Sequence, residues 1–248
     1  MNTKEMQLQN MTICEKHNCE KIEKVYFGKS IYFCEECSKE YEIEKNEKEK
    51  FEKEERERYM KLRGIPKKFE NADLSHFENI DPVLKWVEHP KGFLFVHGNC
   101  GCGKTHLSAA IKKKFNIENK LCFLEFSSNL FLKLRNTFNK TNNETESGFI
   151  NQYAPDEGYI KSRTQAGGKV DVEICGIFDD IGAQKISEYV IEAWYNIIDR
   201  RYMFDYPTMF TSNLSLKEIS FCMTDRIASR IASGVIFELK GNDRRLVK

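Results

Sequence analysis

Short apolar runs alternate with helix-like segments along the second two thirds of the chain. Three of these runs lie at residues 92–97, 174–178 and 208–211. Continuous apolar runs of this length are typical of strands that are buried on both faces of a parallel sheet. A further strand is predicted at the end of 115–126, and helical periodicity is clear at 107–115 and 189–202. The alternation predicts an α/β fold in which a parallel sheet of five strands is flanked by helices.

A glycine-rich turn follows the first apolar run. Residues 98–105 read GNCGCGKT and match the pattern G-x-x-x-x-G-K-[ST]. Glycines let backbone N–H groups approach phosphate oxygens closely, and the dipole of the following helix favours negative charge. In this pattern Lys104 contacts the β- and γ-phosphates, and the Thr105 hydroxyl binds Mg²⁺. The predicted ATP or GTP site consists of Gly98, Asn99, Cys100, Gly101, Cys102, Gly103, Lys104, Thr105 and His106.

Polar side chains end the other two runs. Asp179 and Asp180 follow the run at 174–178, and Asn213 follows the run at 208–211. The carboxyl ends of parallel strands meet at one edge of the sheet, where ligands bind. We expect Asp179 to join the Mg²⁺ shell, Asp180 to polarise the attacking water, and Asn213 to sense the γ-phosphate or orient that water. An asparagine after a strand is more often a turn or cap residue, so the order of the motifs carries this assignment.

Composition and charge are those of a globular protein of one or two domains. The chain has 39 Lys and Arg against 38 Asp and Glu, so no bulk positive field draws all of it to nucleic acid. No apolar stretch approaches the ~20 residues of a membrane span, and residues 1–10 lack the apolar core of a signal peptide. Cysteines inside apolar runs and inside the glycine-rich turn favour a reducing compartment. We expect a cytoplasmic protein that does not associate with membranes.

Four potential metal ligands lie near the start of the sequence. Cys14-x-x-His17 is followed, after sixteen residues, by Cys34-x-x-Cys37. Two such pairs supply three thiolates and one imidazole, which complete a tetrahedral zinc site. Cys19 is an alternative ligand to His17, but the spacing of His17 matches that of the second pair. A module this small depends on its metal for folding energy, and the aromatic residues between the pairs predict a small hairpin.

A charged segment follows the zinc module. Seven acidic and six basic residues alternate over 44–58, which predicts a solvated helical connector. A DNA-binding basic helix is the alternative, but these charges cancel, and phosphate affinity needs an excess of positive charge. Glycine and proline at 64–66 end the helix. We therefore predict a zinc module at 1–41, a helical linker at 42–63 and the α/β domain at 64–248.

The order of these features resembles the bacterial and phage replicative helicase loaders of the DnaC/DnaI type. The resemblance rests on the zinc pairs, the charged linker, GIPKKF at 64–69, DDIG at 179–182 and TSNLS at 211–215, and it spans nearly the whole chain. It implies an AAA+ ATPase domain without a separate lid domain, which self-associates and binds ATP and Mg²⁺. It also implies contacts with the replicative DNA helicase and with single-stranded DNA. The zinc module would be the part that binds the helicase.

The same resemblance implies an arginine that reaches the ATP of a neighbouring subunit. This arginine falls on a predicted helix at 225–231, where Arg230 is the first choice and Arg226 lies within reach of the same interface. A spacing of four residues places both on one helix face, beside an apolar stripe. An arginine supplied in trans stabilises charge on the transferred phosphoryl group. From the residues alone, an ordinary solvent-facing amphipathic helix is the alternative.

The segment 136–170 departs from the family pattern, because it is long, polar and rich in Asn, Thr and Gly. Tyr153, Tyr159 and nearby basic residues are candidates for contacts with single-stranded DNA, and a mobile insertion is the alternative. The basic residues are Lys133, Arg135, Lys140, Lys161, Arg163 and Lys169.

Three other functions stay open at this point. They are a transposase-helper ATPase acting on duplex DNA, a small-molecule kinase with 136–170 as a lid, and an adaptor that binds ATP without turnover. The zinc module argues against the transposase helper. Asp180 stands where AAA+ enzymes more commonly have glutamate, so we expect hydrolysis to be slow and stimulated by a partner.

Overall fold

The computed structural model describes residues 14–26, 29–137, 145–159, 175–183 and 186–243, with the strands at 22–26 and 29–33 described by their backbone. The chain divides into two compact units between Tyr59 and Met60. The first unit carries the cysteine and histidine pairs, and the second carries the glycine-rich turn.

A β-hairpin and most of a long helix form the first unit. Strands β1 (Ile22–Tyr26) and β2 (Lys29–Phe33) pair antiparallel, with Ile22 opposite Phe33, which confirms the predicted hairpin. Helix α1 (Glu35–Leu62) follows at once. Two glutamates in its first turn suit the positive end of the helix dipole.

Most side chains of α1 are exposed to solvent. This helix is described along its whole length, and none of its residues is buried. Ion pairs join residues four apart, such as Lys39 with Glu35 at 2.9 Å and Lys45 with Glu49 at 3.7 Å. The predicted module boundary at residue 41 lies inside this helix, and the predicted linker end at residue 63 lies one residue beyond it.

Five parallel strands form the sheet of the second unit. They are β3 (Phe93–His97), β4 (Cys122–Phe126), β5 (Cys175–Asp179), β6 (Thr208–Ser212) and β7 (Val235–Glu238). The strand order is β4-β5-β6-β3-β7, and every neighbouring pair is parallel. The predicted fold class is confirmed. Because β5, β6 and β3 are neighbours, the motifs that follow them share the carboxyl edge of the sheet.

Helices cover both faces of this sheet. They are α2 (Asp81–Glu88), α3 (Lys104–Ile117), α4 (Ser127–Asn136), α5 (Glu146–Tyr153), α6 (Glu188–Met203), α7 (Leu216–Cys222) and α8 (Asp225–Ala232). Phe93 and Phe95 of β3 lie in one core with α6, whereas Leu94 and Val96 lie in another with α3. Both faces of β3 are therefore buried, which explains its continuous apolar run. Within the described parts of the chain, no helix is both long enough and apolar enough to cross a membrane.

The polar segment 136–170 contains a helix that packs on the core. Thr145 caps α5, because its hydroxyl accepts a hydrogen bond from the Gly148 N–H at 3.1 Å. Tyr153 is only 7% exposed, and its hydroxyl donates to Glu125 at 2.8 Å. Tyr153 is therefore a core residue, and the prediction that it stacks on DNA is wrong. Lys140, Lys161, Arg163 and Lys169 lie outside the described residues.

A buried arginine ties α5 to the sheet. Arg201 is fully buried; its Nε donates to the Thr208 hydroxyl at 2.6 Å and its Nη2 to the Pro207 carbonyl at 3.0 Å. Its Nη1 donates to the carbonyl of Tyr153, the last residue of α5. Burial lowers the pKa of Arg201 to about 10, which leaves the guanidinium charged at neutral pH. The end of α5 and the start of β6 are thus held by one side chain.

We predict that Gly234→Ala destabilises the second unit. A Cβ at this position would lie 2.0 Å from the carbonyl oxygen of Phe93, a backbone atom of a central strand that cannot move aside. Overpacking of this kind costs about 1–3 kcal/mol, so the urea midpoint of the second unit should fall. Gly241→Ala is the control, because the nearest atom to its Cβ would be 3.4 Å away. Equal effects of the two substitutions would contradict the steric argument.

Candidate nucleotide site and metal centre

A cavity of about 560 Å³ opens at the carboxyl edge of the sheet. Its walls are formed by Lys68, Phe69, Cys100, Gly101, Gly103, Lys104, Thr105, His106, Asp180, Thr211 and Asn213. Cavities of roughly 300–1,000 Å³ hold small-molecule ligands. The glycine-rich turn, Asp180 and Asn213 therefore meet at one cavity, as the parallel order of their strands requires.

Two glycines of the turn have backbone angles that side chains disfavour. Gly101 has φ +80° and Gly103 has φ +110°. A Cβ on Gly101 would also lie 2.0 Å from the Asp243 carboxylate. Gly103 is the N-cap of α3, so the turn leads directly into a helix N-terminus that favours anions.

Lys104 is almost completely buried, and its ammonium group makes three short hydrogen bonds. Nζ donates to the carbonyls of Gly98 at 2.8 Å and Asn99 at 2.9 Å, and to Oδ1 of Asn213 at 2.8 Å. An ammonium group has three N–H donors, so these contacts use all of them. The cation is held at the cavity wall, where an arriving anion can compete for it.

The Asp179 carboxylate is buried behind the cavity and accepts hydrogen bonds from three hydroxyl groups. Thr105 donates to Oδ2 at 2.7 Å, and Ser108 and Thr211 donate to Oδ1 at 2.8 and 2.7 Å. A buried carboxylate needs such partners, because its desolvation is costly. The predicted Mg²⁺ ligands Asp179 and Thr105 are therefore in direct contact.

Asp180 and Asn213 form the second polar pair of the cavity. Asp180 has φ +63°, a left-handed angle that aspartate tolerates better than most residues. Its Oδ1 accepts from Nδ2 of Asn213 at 2.9 Å, while its N–H donates to the Thr211 hydroxyl at 2.9 Å. Asn213 therefore bridges Lys104 to Asp180, with its oxygen on the lysine and its nitrogen on the carboxylate.

Aromatic rings form another part of the cavity wall. Phe69 meets the ring of His106 edge to face, with centroids 6.3 Å apart, and Phe77 lies 5.7 Å from the same ring. Nε2 of His106 is hydrogen-bonded to Nδ1 of His76 at 3.0 Å. His106 is thus fixed in place by three rings, with Phe69 and Lys68 beside it in the wall.

Arg230 does not line this cavity and instead contacts α6. Its Nε donates to Oδ1 of Asp199 at 2.5 Å, and its Nη2 donates to the Tyr195 hydroxyl at 3.3 Å. The guanidinium also lies over the ring of Tyr195, 5.1 Å from the centroid. Arg226 on the same helix is exposed. Arg230 also donates from Nη1 to the carbonyl of Arg226 at 3.4 Å, so its guanidinium lies against α6 and its own helix.

The structure brings the four predicted zinc ligands together. The ligand atoms of Cys14, His17, Cys34 and Cys37 all lie within 4.8 Å of one another. Nδ1 of His17 is 3.3 Å from the sulfurs of Cys34 and Cys37, and the sulfurs of Cys14 and Cys37 are 3.6 Å apart. Zinc bonds to sulfur and nitrogen in a tetrahedron imply ligand separations of roughly 3.3–3.8 Å. This Cys/His cluster, which we call the cysteine cluster, therefore fits a zinc ion.

Protons are unevenly shared within the cysteine cluster. Hydrogen bonds with Cys34 and Cys14 raise the pKa of the Cys37 thiol to about 12. The backbone N–H of Cys37 lowers the pKa of the Cys34 thiol to about 7. Thiolates this close repel one another, so full deprotonation needs a cation to share their charge. Cys19 lies outside this group of four ligands.

Sequence reasoning missed several residues of the nucleotide site. Ser108 lies one helical turn after Lys104, so its spacing was a usable signal for a position facing Asp179. Thr211 was assigned only to a strand, although it contacts both aspartates. Lys68 and Phe69 belong to the GIPKKF sequence, but nothing in their spacing places them at a cavity formed by residues 30 or more positions away.

Comparison with known proteins identifies similar sequences. No protein-family model matches the chain. The replicative helicase loader DnaC of Buchnera aphidicola subsp. Baizongia pistaciae is 26% identical over 172 residues, covering 67% of this chain and 63% of the relative. DnaC of B. aphidicola subsp. Acyrthosiphon pisum is 27% identical over 147 residues, covering 59% and 52%. The chain thus spans less than two thirds of the length of these curated relatives. The predicted resemblance to DnaC-type loaders is confirmed.

Solved structures share the fold of the second unit. The DnaC helicase loader matches with a TM-score of 0.55 and 19% identity, over 71% of this chain and 100% of the other. DnaI matches with a TM-score of 0.51 and 22% identity, over 73% and 94%. The replication initiator DnaA, bound to AMPPCP and single-stranded DNA, matches with a TM-score of 0.54 and 16% identity, over 69% and 50%. At these identities the likeness shows the fold alone.

We predict that Thr211→Val destabilises the nucleotide-free second unit. Valine has nearly the shape of threonine but leaves the buried Asp179 carboxylate short of one donor and the Asp180 N–H without its acceptor. Such losses cost about 1–3 kcal/mol, which a lower urea midpoint would report. Thr137→Val is the control, because Thr137 donates to Leu134 at a helix end where water can replace it. Wild-type stability of Thr211→Val would show that the hydroxyl is dispensable.

Proposed function

We propose that this chain is an ATP-dependent loader of a replicative DNA helicase. The observation that carries the proposal is that two hydrogen-bond networks meet at one cavity. One joins Thr105 to Asp179, and the other joins Lys104 to Asp180 through Asn213. Similarity to DnaC loaders over 172 residues supports the assignment to DNA replication. We likewise propose the activity, the substrates and the partners of the whole protein.

In this proposal the phosphates of ATP occupy the loop side of the cavity. Lys104 exchanges its loop carbonyls for β- and γ-phosphate oxygens, which are stronger partners because they are charged. Thr105 and Asp179 would hold Mg²⁺, whose bound charge stabilises the transferred phosphoryl group. The neighbouring hydroxyls of Ser108 and Thr211 keep the Asp179 carboxylate in position.

Asp180 and Asn213 are the proposed residues for the attacking water. Asp180 lies at the cavity wall, and its carboxylate is held by Asn213, which also touches Lys104. A water bonded to Asp180 would therefore sit next to the group that senses the γ-phosphate. Aspartate is one methylene shorter than glutamate. We therefore propose that ATP hydrolysis is slow, and that it becomes faster when a bound partner moves this part of the cavity wall.

The aromatic part of the wall is the proposed place for the nucleobase. Phe69 and His106 offer ring surfaces to a flat base, and Lys68 beside them adds positive charge at the mouth. The hydrogen bond to His76 fixes the orientation of the His106 ring.

The partners complete the proposal. The first unit, with zinc held by Cys14, His17, Cys34 and Cys37, is the proposed helicase-binding part, and zinc supplies its folding energy. Single-stranded DNA is proposed as a ligand because the fold is shared with DnaA, solved with AMPPCP and single-stranded DNA. Self-association would bring Arg230 of one subunit to the ATP of the next. A cytoplasmic location follows from these partners.

The loader proposal predicts an ATP-responsive complex with the replicative helicase from the same source. Light scattering should report this complex, and ATP hydrolysis should rise when helicase and single-stranded DNA are added. Lys104→Ala should lose detectable nucleotide binding and the ATP response, because it removes the phosphate-binding cation. Lys217→Ala, an exposed lysine on α7, is the control.

Other outcomes of that experiment point elsewhere. Stimulation by duplex DNA without a helicase complex would indicate the transposase helper. Phosphate transfer to an added metabolite would indicate a kinase, and ATP binding without any turnover would indicate an adaptor.

The assignment of Arg230 makes a separate prediction. Arg230→Ala should leave nucleotide affinity of the single chain unchanged but lower hydrolysis in the assembly by roughly 10³-fold, as for other arginines supplied in trans. Asp199→Asn is the matched variant, since it frees Arg230 from its ion pair and should preserve hydrolysis. Loss of hydrolysis in Arg226→Ala but not in Arg230→Ala would transfer the role to Arg226.

A further inference from the structure

We infer that Glu40 is a positioning residue for the metal ligand His17: its carboxylate accepts the Nε2–H of the imidazole, so that Nδ1 carries the lone pair that binds zinc. This inference rests on the proposed zinc site and adds to it a residue outside the four ligands. It also assigns the ring nitrogen that faces the metal.

The orientation of the His17 ring in the cysteine cluster supports the assignment. Nδ1 lies 3.3 Å from the sulfurs of Cys34 and Cys37 and 3.8 Å from the sulfur of Cys14. Nδ1 is therefore the nitrogen that shares the cluster with all three thiols. The ring is largely buried, with 16% of the side chain exposed.

The opposite nitrogen faces a carboxylate. Nε2 lies 3.4 Å from Oε1 of Glu40, at the long limit for a hydrogen bond, while the nearest oxygen of Glu36 is 3.9 Å away, beyond that limit. The other oxygen of Glu40 accepts from Nζ of Lys16 at 2.7 Å. Glu40 is therefore held between Lys16 and His17, which are neighbours in the sequence.

Helix geometry explains why Glu40 can reach this place. Cys37 and Glu40 are three residues apart on α1, so their side chains lie on the same face in successive turns. The sulfur of Cys37 contacts one side of the imidazole, and the carboxylate of Glu40 contacts the other. The ligand spacing thus extends to Cys34-x-x-Cys37-x-x-Glu40.

The chemistry of imidazole explains how this contact affects metal binding. A neutral imidazole has one N–H, so a metal on Nδ1 requires the proton on Nε2, where a carboxylate is the best acceptor. An acceptor of this kind fixes the tautomer and makes the ligand nitrogen more basic. Lys16 offsets the negative charge that Glu40 adds next to three thiolates. Loss of such an outer-shell partner costs about 10–100-fold in metal affinity.

The test compares two glutamates of the same helix in the full-length protein. Glu40→Gln and Glu36→Gln remove the same charge four residues apart, but only the first replaces the carboxylate nearest His17 by an amide, whose oxygen is a weaker acceptor. Zinc affinity is measured by competition with a chelator of known affinity, and the His17 tautomer by long-range ¹H–¹⁵N NMR of the zinc-loaded wild type. We expect Glu40→Gln to bind zinc about 10–100-fold more weakly, Glu36→Gln to match wild type within twofold, and wild type to carry its proton on Nε2.

The outcomes separate this inference from the zinc site itself. Less than one zinc per wild-type chain, or no loss of zinc in Cys34→Ser, would remove the proposed zinc site. One zinc per wild-type chain with a proton on Nδ1 would overturn the inference even if Glu40→Gln failed to fold. Equal affinities of Glu40→Gln and Glu36→Gln would overturn it as well.

Discussion

The buried carboxylate of Asp179 is the contact on which the nucleotide site depends. Its oxygens accept hydrogen bonds from α3, through Thr105 and Ser108, and from β6, through Thr211. The backbone carbonyl of the same residue accepts from Ser127, the first residue of α4. One residue at the end of β5 therefore fixes two helices and a neighbouring strand. A buried charge tolerates the loss of such partners poorly, so the same contacts that stabilise the fold also hold in place the carboxylate proposed to bind Mg²⁺.

A second constraint acts on the phosphate loop from the end of the chain. The Leu239 N–H donates to the carbonyl of His97, the last residue of β3, at 2.7 Å, which continues the pairing of the two strands one residue past the end of β7. A Cβ on Gly98 would lie 2.3 Å from the Leu239 carbonyl, and one on Gly101 would meet Asp243. Packing therefore favours glycine at positions 98 and 101, independently of the phosphate contacts proposed for the loop.

The sequence predicted best the strands that are buried along nearly their whole length. The strands β3, β5 and β6 are buried on both faces, and their apolar runs were visible for that reason. Strand β7 alternates between partly buried and exposed residues, and its apolar run at 235–237 is shorter than the runs that predict a buried strand. The partners of Arg230 and Tyr153 were equally hidden, because Asp199 and Glu125 lie 28 or more residues away in sequence and meet them only through packing. Spacing reports contacts along one helix or strand, and it carries no information about contacts between elements.

The saturation of Lys104 links the nucleotide to distant parts of the second unit. All three of its donors are used by protein oxygens, so a phosphate can gain this cation only by displacing one of them. When a phosphate displaces the two loop carbonyls, Asn213 keeps Lys104 joined to Asp180. Asn213 directly follows β6, and Ser215, two residues later, forms the capping box that starts α7, which packs against α8. Because α8 carries Arg230, a change at the γ-phosphate has a short covalent path to the residue proposed to act on a neighbouring subunit.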